Sequence, residues 1–241
     1  MNILQIDRQL FECVNQRWNL PGLDVLMAVL SSWVFWRPFA VAAAAFAVVF
    51  AGFKGRVLVC CAVVIVLVAD AGVANSIKQF TARLRPYQAT EGVRIVRLEK
   101  LSPRFLAVAR PAVVTSSTLP PRSREGRSFP SGHVTNNFAL AVVLAWFYRR
   151  WGWLYFIIAT FVAWSRVYVG DHYPSDVLAA ALIGSIVGVL MMVLFERLWR
   201  IYGSRIAPSL AQQHPSLSAI QPRLNEQTRR EPNEHATHSI N

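Results

Sequence analysis

Acidic residues are scarce in this chain: 13 Asp and Glu stand against 25 Lys and Arg, and charged residues of all kinds make up only 16% of 241 positions. So low a charge content, beside 54% hydrophobic residues, excludes an ordinary soluble domain. The net charge of +12 does not build a nucleic-acid surface either. The basic residues lie between apolar runs and in the tail, so anionic lipid head groups are the simpler partner and no nucleic acid is expected. Cysteine is nearly absent: Cys13 and the adjacent Cys60-Cys61 have no metal-ligand spacing and read as free, structural thiols. Three of the five histidines, His214, His235 and His238, fall in a polar tail that offers no ordered carboxylate or thiol partner, so no metal site is expected there.

What the chain does have is apolar runs in blocks, which predict an all-α polytopic membrane bundle of about five or six transmembrane helices. Residues 1–20 form an amphipathic segment: Ile3, Leu4, Ile6, Leu10, Phe11 and Val14 recur among polar residues at helical spacing, which suits a helix lying in the membrane interface. Asp7, Arg8 and Glu12 interrupt any apolar core of a cleavable signal peptide. A membrane-embedded domain is expected over 21–202. Its first runs, Leu23–Phe35 and Phe39–Phe53, are split by Trp36-Arg37-Pro38 and form either one kinked helix or a hairpin. Val57–Ile77 is a clear span whose Asp70 and Asn75 should face the protein interior. Asn136–Phe147, Leu154–Ser165 and Val177–Leu198 complete the set, and the stretch 203–241 reads as a disordered cytosolic tail.

Parity then sorts the polar clusters. If Val57–Ile77 ends at one face, the loop 78–132 lies there, a hairpin turning at Arg149-Arg150 crosses and returns, and the segment around His172 comes back to the same face. The other face carries Lys54, Arg56, Arg149, Arg150, Arg197, Arg200 and Arg205, which makes it cytoplasmic and the clustered face extracytoplasmic. Against this, residues 78–127 hold eleven basic and three acidic residues. That loop is long for a compact helical domain, its prolines break any continuous helix, and Leu101–Val114 is apolar enough to lie on the bilayer or cover a site.

Chemistry concentrates in three patterns: Lys78 followed by Arg85-Pro86, then Pro130-Ser131-Gly132-His133, then Ser165-Arg166 leading to His172 and Asp176. Lys78, Arg85 and Arg166 are three cations from three segments, suited to a multiply charged phosphate. Ser131 and Gly132 stand where a helix is about to begin, so a hydroxyl and free backbone N–H groups can join them. With no cysteine in the patterns and no base beside Ser131 or Ser165 in sequence, the nucleophile is one of two histidines. His172 has Asp176 four residues on, and a carboxylate bonded to one ring nitrogen leaves the other free to attack phosphorus. His133 is then the acid that protonates the leaving oxygen.

These three patterns resemble the signature motifs of the type-2 phosphatidic acid phosphatase superfamily, integral-membrane lipid phosphatases related to soluble acid phosphatases and vanadium haloperoxidases. By that resemblance Lys78, Arg85, Ser131, Gly132 and Arg166 would bind phosphate, His172 would form a phosphohistidine oriented by Asp176, and His133 would act as acid and then activate water. The resemblance also implies no metal or other cofactor, and a site on the periplasmic face of a bacterial inner membrane. It allows several substrates: undecaprenyl diphosphate first, then lipid A, phosphatidylglycerophosphate or phosphatidic acid. A protein that binds or transports anionic lipid without cleaving it is the reading of another class; it leaves the pairing of His172 with Asp176 and the separate His133 without a purpose.

Overall fold

The computed structural model describes residues 2–18, 20–118 and 127–218. Two compact units divide the chain at Phe195/Glu196. The first opens with α1 (Ile3–Glu12), which runs on as a π-helical turn through Cys13–Arg17, and α2 (Pro21–Ser31). α3 (Trp33–Phe50) follows after a single residue, Ser32, whose hydroxyl accepts the Phe35 N–H and caps the new helix. The break expected at Trp36-Arg37-Pro38 therefore falls earlier, and Pro38 lies within α3 as its sixth residue, where its missing N–H leaves the Val34 carbonyl without the usual helical bond.

A tight turn at Gly52, in the left-handed region at φ 61°, returns the chain into α4 (Gly52–Leu67). A π-helical segment (Val68–Ala74) joins it to α5 (Asn75–Thr81), so one rod runs over Gly52–Thr81. The wider turn shifts the helical face. Asp70 is half-buried, as expected, whereas Asn75 is exposed, contrary to the expectation that it faces the interior.

Beyond the short α6 (Pro86–Ala89), the long loop holds an element that the sequence reading missed. β1 (Arg94–Arg97) pairs antiparallel with β2 (Val113–Ser116), Val96 opposite Val114, with a 3₁₀ turn at Arg104–Ala109 between them. Within Leu101–Val114, Ala107 is fully buried in a cluster with Met27, Phe35 and Tyr168, while Phe105, Leu106, Val108 and Val113 are exposed. α7 (Gly132–Phe147), α8 (Leu154–Tyr168) and α9 (Pro174–Ile206) complete the bundle.

Among the described residues, three helices are long and apolar enough to cross a membrane: α3, the Gly52–Thr81 rod and α9. α2, α7 and α8, at 11, 16 and 15 residues, are shorter than the roughly 20 a full span needs. The chain is an all-α integral membrane protein with one small hairpin. Lys54 Nζ lies 4.8 Å from the centre of the Tyr148 ring, so the start of α4 and the end of α7 share one end of the bundle. α7 therefore runs antiparallel to the rod. α9 packs very closely on α7: a Cβ added to Gly184 would come within 2.2 Å of the Thr135 carbonyl oxygen, and one on Gly188 within 2.9 Å of Val142. Gly184 and Gly188, four residues apart, let the two backbones touch.

In the second unit the helix α9 continues through Gly203 to Ile206, and α10 covers Pro208–Gln213. Trp199 Nε1 donates to the His214 carbonyl at 2.8 Å, and Glu196 accepts from Arg200 Nε and from the Leu217 N–H. The stretch expected to be disordered from Gly203 is thus helical as far as Gln213; His235 and His238 lie outside the described residues.

Candidate active site

Every residue singled out by the motifs lies at or near the end of an element. Lys78 is in the last turn of the rod, Arg85 is the cap of α6, Ser131 the cap of α7, Gly132 and His133 its first turn, Arg166 the last turn of α8, and Asp176 the first turn of α9. His172 sits in the short connection between α8 and α9. Antiparallel packing brings these ends together. Gly132 shows how closely: a Cβ there would stand 3.1 Å from Lys78 Nζ and 2.8 Å from Asp70 Oδ1. Glycine is the residue that leaves the ammonium room beside the start of α7.

His172 is 2% exposed. Its backbone N–H donates to the Arg166 carbonyl at 3.2 Å, which folds the connection back on the end of α8. The expected carboxylate is present but not in direct hydrogen bond: Asp176 Oδ2 lies 3.8 Å from His172 Nδ1. Between them is Ser128, fully buried, whose hydroxyl donates to Asp176 Oδ2 at 2.5 Å and stands 3.4 Å from Nδ1. The Tyr173 N–H donates to the same carboxylate oxygen at 3.0 Å, and Arg83 grips the other at 2.6 Å. With Nδ1 turned to this cluster, Nε2 is the nitrogen left to face a substrate. Burial lowers the His172 pKa to about 4; the Asp176 interaction raises it in part, and Arg166 lowers it further. At neutral pH the ring is uncharged. Ser165, the remaining hydroxyl of the third motif, is tied to the Val162 carbonyl at 2.7 Å.

The arginines converge on a carboxylate that the motif reading left unassigned. Asp171, 2% exposed, pairs with Arg166 at 2.6 Å, with Arg97 at 2.5 Å and with Arg85 at 3.7 Å. Burial alone would raise its pKa, but Arg166 and Arg97 outweigh that and hold it well below the usual carboxylate range. Arg166 is fixed from behind by the Ser31 carbonyl at 3.1 Å and by the Ser31 hydroxyl. Arg97 arrives from β1. Gly170, at φ 86°, lets that strand approach, since a Cβ there would meet the Arg94 carbonyl oxygen at 2.6 Å. Asn15 bonds the Arg94 and Tyr168 carbonyls at 2.8 Å each and pins the hairpin to the end of α8.

Five buried side-chain polar atoms lack a hydrogen-bond partner among the described residues, and three of them are Arg85 Nε, Ser131 Oγ and Arg166 Nε. All three belong to the proposed phosphate set. Orphaned buried donors are costly and uncommon, and a tetrahedral anion would satisfy several at once. His133 lies in the first turn of α7, outside the three long spans. Burial, then Arg166 and His172, lower its pKa to about 3. Burial is the largest of these causes, and Asp171 acts in the opposite direction.

Residues 57–200 match the PAP2 superfamily. The chain belongs to that superfamily. The match takes in all three motifs. Among similar curated proteins, undecaprenyl-diphosphatase BcrC of Bacillus subtilis is 38% identical over 82 residues, 34% of this chain and 42% of that protein. Lipid A 4'-phosphatase of Bacteroides thetaiotaomicron is 37% identical over 75 residues, 30% of this chain and 33% of that protein. The chain thus matches less than half the length of these relatives. Among solved structures, Aquifex aeolicus LpxE has a TM-score of 0.53 at 24% identity, covering 78% of this chain and 95% of its own. A transmembrane PAP2-type phosphatidylglycerolphosphate phosphatase from Bacillus subtilis has a TM-score of 0.54 at 20% identity, covering 82% and 89%. These likenesses show the fold.

Sequence reasoning missed Arg83, Arg97, Ser128 and Asp171. Arg83 stands two residues before Arg85, Ser128 two before Pro130, and Asp171 directly precedes His172, so proximity in sequence was their one available signal. Arg97 had none, because its approach depends on the hairpin.

Proposed function

We propose that this PAP2 protein is a metal-independent lipid phosphatase that hydrolyses a phosphate or diphosphate through a phosphohistidine. The observation that carries the reading is the trio of unpartnered donors on Arg85, Ser131 and Arg166, gathered beside Lys78 and the start of α7. A phosphate held there is surrounded by developing positive stabilisation where its equatorial oxygens gain charge. Nε2 of His172 attacks phosphorus, the bond to the leaving oxygen breaks, and His133 gives that oxygen its proton. His133 then takes a proton from water, whose oxygen displaces His172 and releases inorganic phosphate. A dianionic phosphate offsets Arg166 and Arg85, two of the groups that lower the His133 pKa beside its burial, and so shifts the ring toward the protonated form that a general acid needs.

The substrate of first choice is undecaprenyl diphosphate, with lipid A, phosphatidylglycerophosphate or phosphatidic acid second. Names of relatives on both sides support this pairing of candidates. Arg97, a fourth cation on the hairpin beyond the motif set, suits a head group with a second phosphate. We place the site on the periplasmic face of a bacterial inner membrane, with Lys54, Arg56, Arg149 and Arg150 at the cytoplasmic end. The test is phosphate release from undecaprenyl diphosphate and from lipid A by wild type and His172→Ala, with EDTA present. Release that survives the chelator and vanishes in the variant supports the mechanism. Release by His172→Ala at the wild-type rate refutes it, and tight binding without release by wild type favours the non-catalytic lipid binder.

A further inference from the structure

We infer that Asp7, on the N-terminal helix, is a positioning residue for the catalytic Asp176 and, through it, for His172. The inference rests on the phosphatase reading above. α1 is amphipathic in an unusual sense: Leu4 and Leu10 are 60% and 52% exposed, whereas the charged Asp7 is 6% exposed. Leu4 and Leu10 are free to meet lipid, and the carboxylate is turned into the protein. Burying a carboxylate is unfavourable unless each oxygen is hydrogen-bonded and its charge matched.

Both conditions are met, and by groups that belong to the site. Asp7 Oδ2 accepts from Arg83 NH2 at 2.6 Å and from the Ser175 hydroxyl at 2.6 Å. Asp7 Oδ1 accepts the Ser175 backbone N–H at 2.9 Å, one of the free donors in the first turn of α9. The other nitrogen of the same guanidinium, Arg83 NH1, donates to Ser175 Oγ at 2.7 Å and to Asp176 Oδ1 at 2.6 Å. Arg83 is thus a fork with one tine on Asp7 and one on the orienting carboxylate. It also lies over the Tyr173 ring, 4.2 Å from its centre, and that ring packs against Phe11, one turn beyond Asp7 on α1.

Asp176 has two oxygens to place: Oδ2 toward Ser128 and His172, Oδ1 toward Arg83. Asp7 holds the arginine off a two-pronged grip on Asp176, because it engages the second nitrogen. Without Asp7, both nitrogens are free to take both oxygens of Asp176, the geometry arginine favours with a carboxylate. Oδ2 then turns away from Ser128, and the imidazole loses its orientation.

The experiment uses the full chain in detergent and whichever of undecaprenyl diphosphate and lipid A the wild type hydrolyses faster. Asp7→Asn is expected to lower kcat about 10- to 100-fold, the scale of a lost hydrogen bond to a charged group, with KM within about twofold. Asp7→Glu, which keeps the charge, is expected to recover part of kcat. Arg83→Gln combined with Asp7→Asn is expected to be no slower than Arg83→Gln alone, because the aspartate acts through the arginine. Equal kcat per folded molecule in Asp7→Asn, with only a lower Tm, overturns the inference and leaves Asp7 structural. Should Asp7→Asn fail to fold, the cycle of Asp7→Glu with Arg83→Lys decides: single losses of kcat that add strictly in the double variant overturn it as well. Wild type that releases no phosphate refutes the phosphatase reading itself, a result distinct from active wild type with an indifferent Asp7.

Discussion

Ser128→Ala separates a direct from a bridged orientation of the proposed nucleophile. The Ser128 hydroxyl donates to Asp176 Oδ2 at 2.5 Å and stands 3.4 Å from His172 Nδ1, whereas the carboxylate and the ring are 3.8 Å apart. Both Ser128 and Asp176 are fully buried, so water does not readily replace the hydroxyl. A hydrogen bond to a charged group contributes about 1.5–3 kcal/mol. If that orientation matters fully in the transition state, the loss corresponds to about a 10- to 100-fold lower kcat. KM should stay within about twofold, because the Ser128 hydroxyl is engaged by Asp176. The assay is phosphate release from undecaprenyl diphosphate at saturating and limiting substrate, with a thermal melt to establish that the variant is folded. Wild-type kcat in folded Ser128→Ala, alongside inactive His172→Ala, would refute the bridge and mean that Asp176 reaches the ring directly during turnover.

Asp171→Asn removes the charge shared by Arg85, Arg97 and Arg166; breaking the buried Arg166 pair should destabilise the fold by about 3 kcal/mol. The more cationic cradle should also bind inorganic phosphate tighter, and an unchanged phosphate inhibition constant in folded protein would count against the arginine cluster as the phosphate site. Gly132→Ala should fold yet release phosphate about 10- to 100-fold more slowly, since the new methyl would crowd Lys78 Nζ from 3.1 Å and misplace it; wild-type activity would show the ammonium does not act there. An NMR titration of His172 should give a midpoint near 4, and one near 6.5 would contradict the buried, arginine-flanked setting. Because the unfolded ring takes its proton near pH 6.5 and the folded one near 4, unfolded protein binds more protons in that window. Stability from this group should therefore be complete above about pH 6.5 and fall as pH drops toward 4, as thermal melts can check.

The motif residues were legible because each pattern is local: Lys78 and Arg85, Ser131 to His133, and Arg166 to Asp176 each occupy a dozen residues or fewer. Parity of the apolar runs then brought the patterns to one end, and the contacts of Gly132 with Lys78 and of Lys54 with Tyr148 agree with that reading. What was hidden depends on distance along the chain. The bond from Asp7 to Ser175 joins residues 168 positions apart, and that from Arg97 to Asp171 joins residues 74 apart. Periodicity assigned α1 to the interface by its apolar face, and nothing local marks Asp7 as the side that turns inward. The hairpin was obscured by the prolines and charges around it, and Asn75 was misjudged because a π-helical turn resets the face without any signature in hydropathy.

The glycines of α9 bear on how copies of this protein can meet. In lipid, two glycines four residues apart commonly serve as the seam along which identical helices dimerise. Here that seam is already closed, with Gly184 against the Thr135 carbonyl and Gly188 against Val142. A second copy could use it only by prising the helix that bears Asp176 from the one that bears His133, which would dismantle the site. Self-association that preserves activity is therefore confined to outward faces such as the one carrying Leu178, Leu182 and Leu190, all exposed along the same helix.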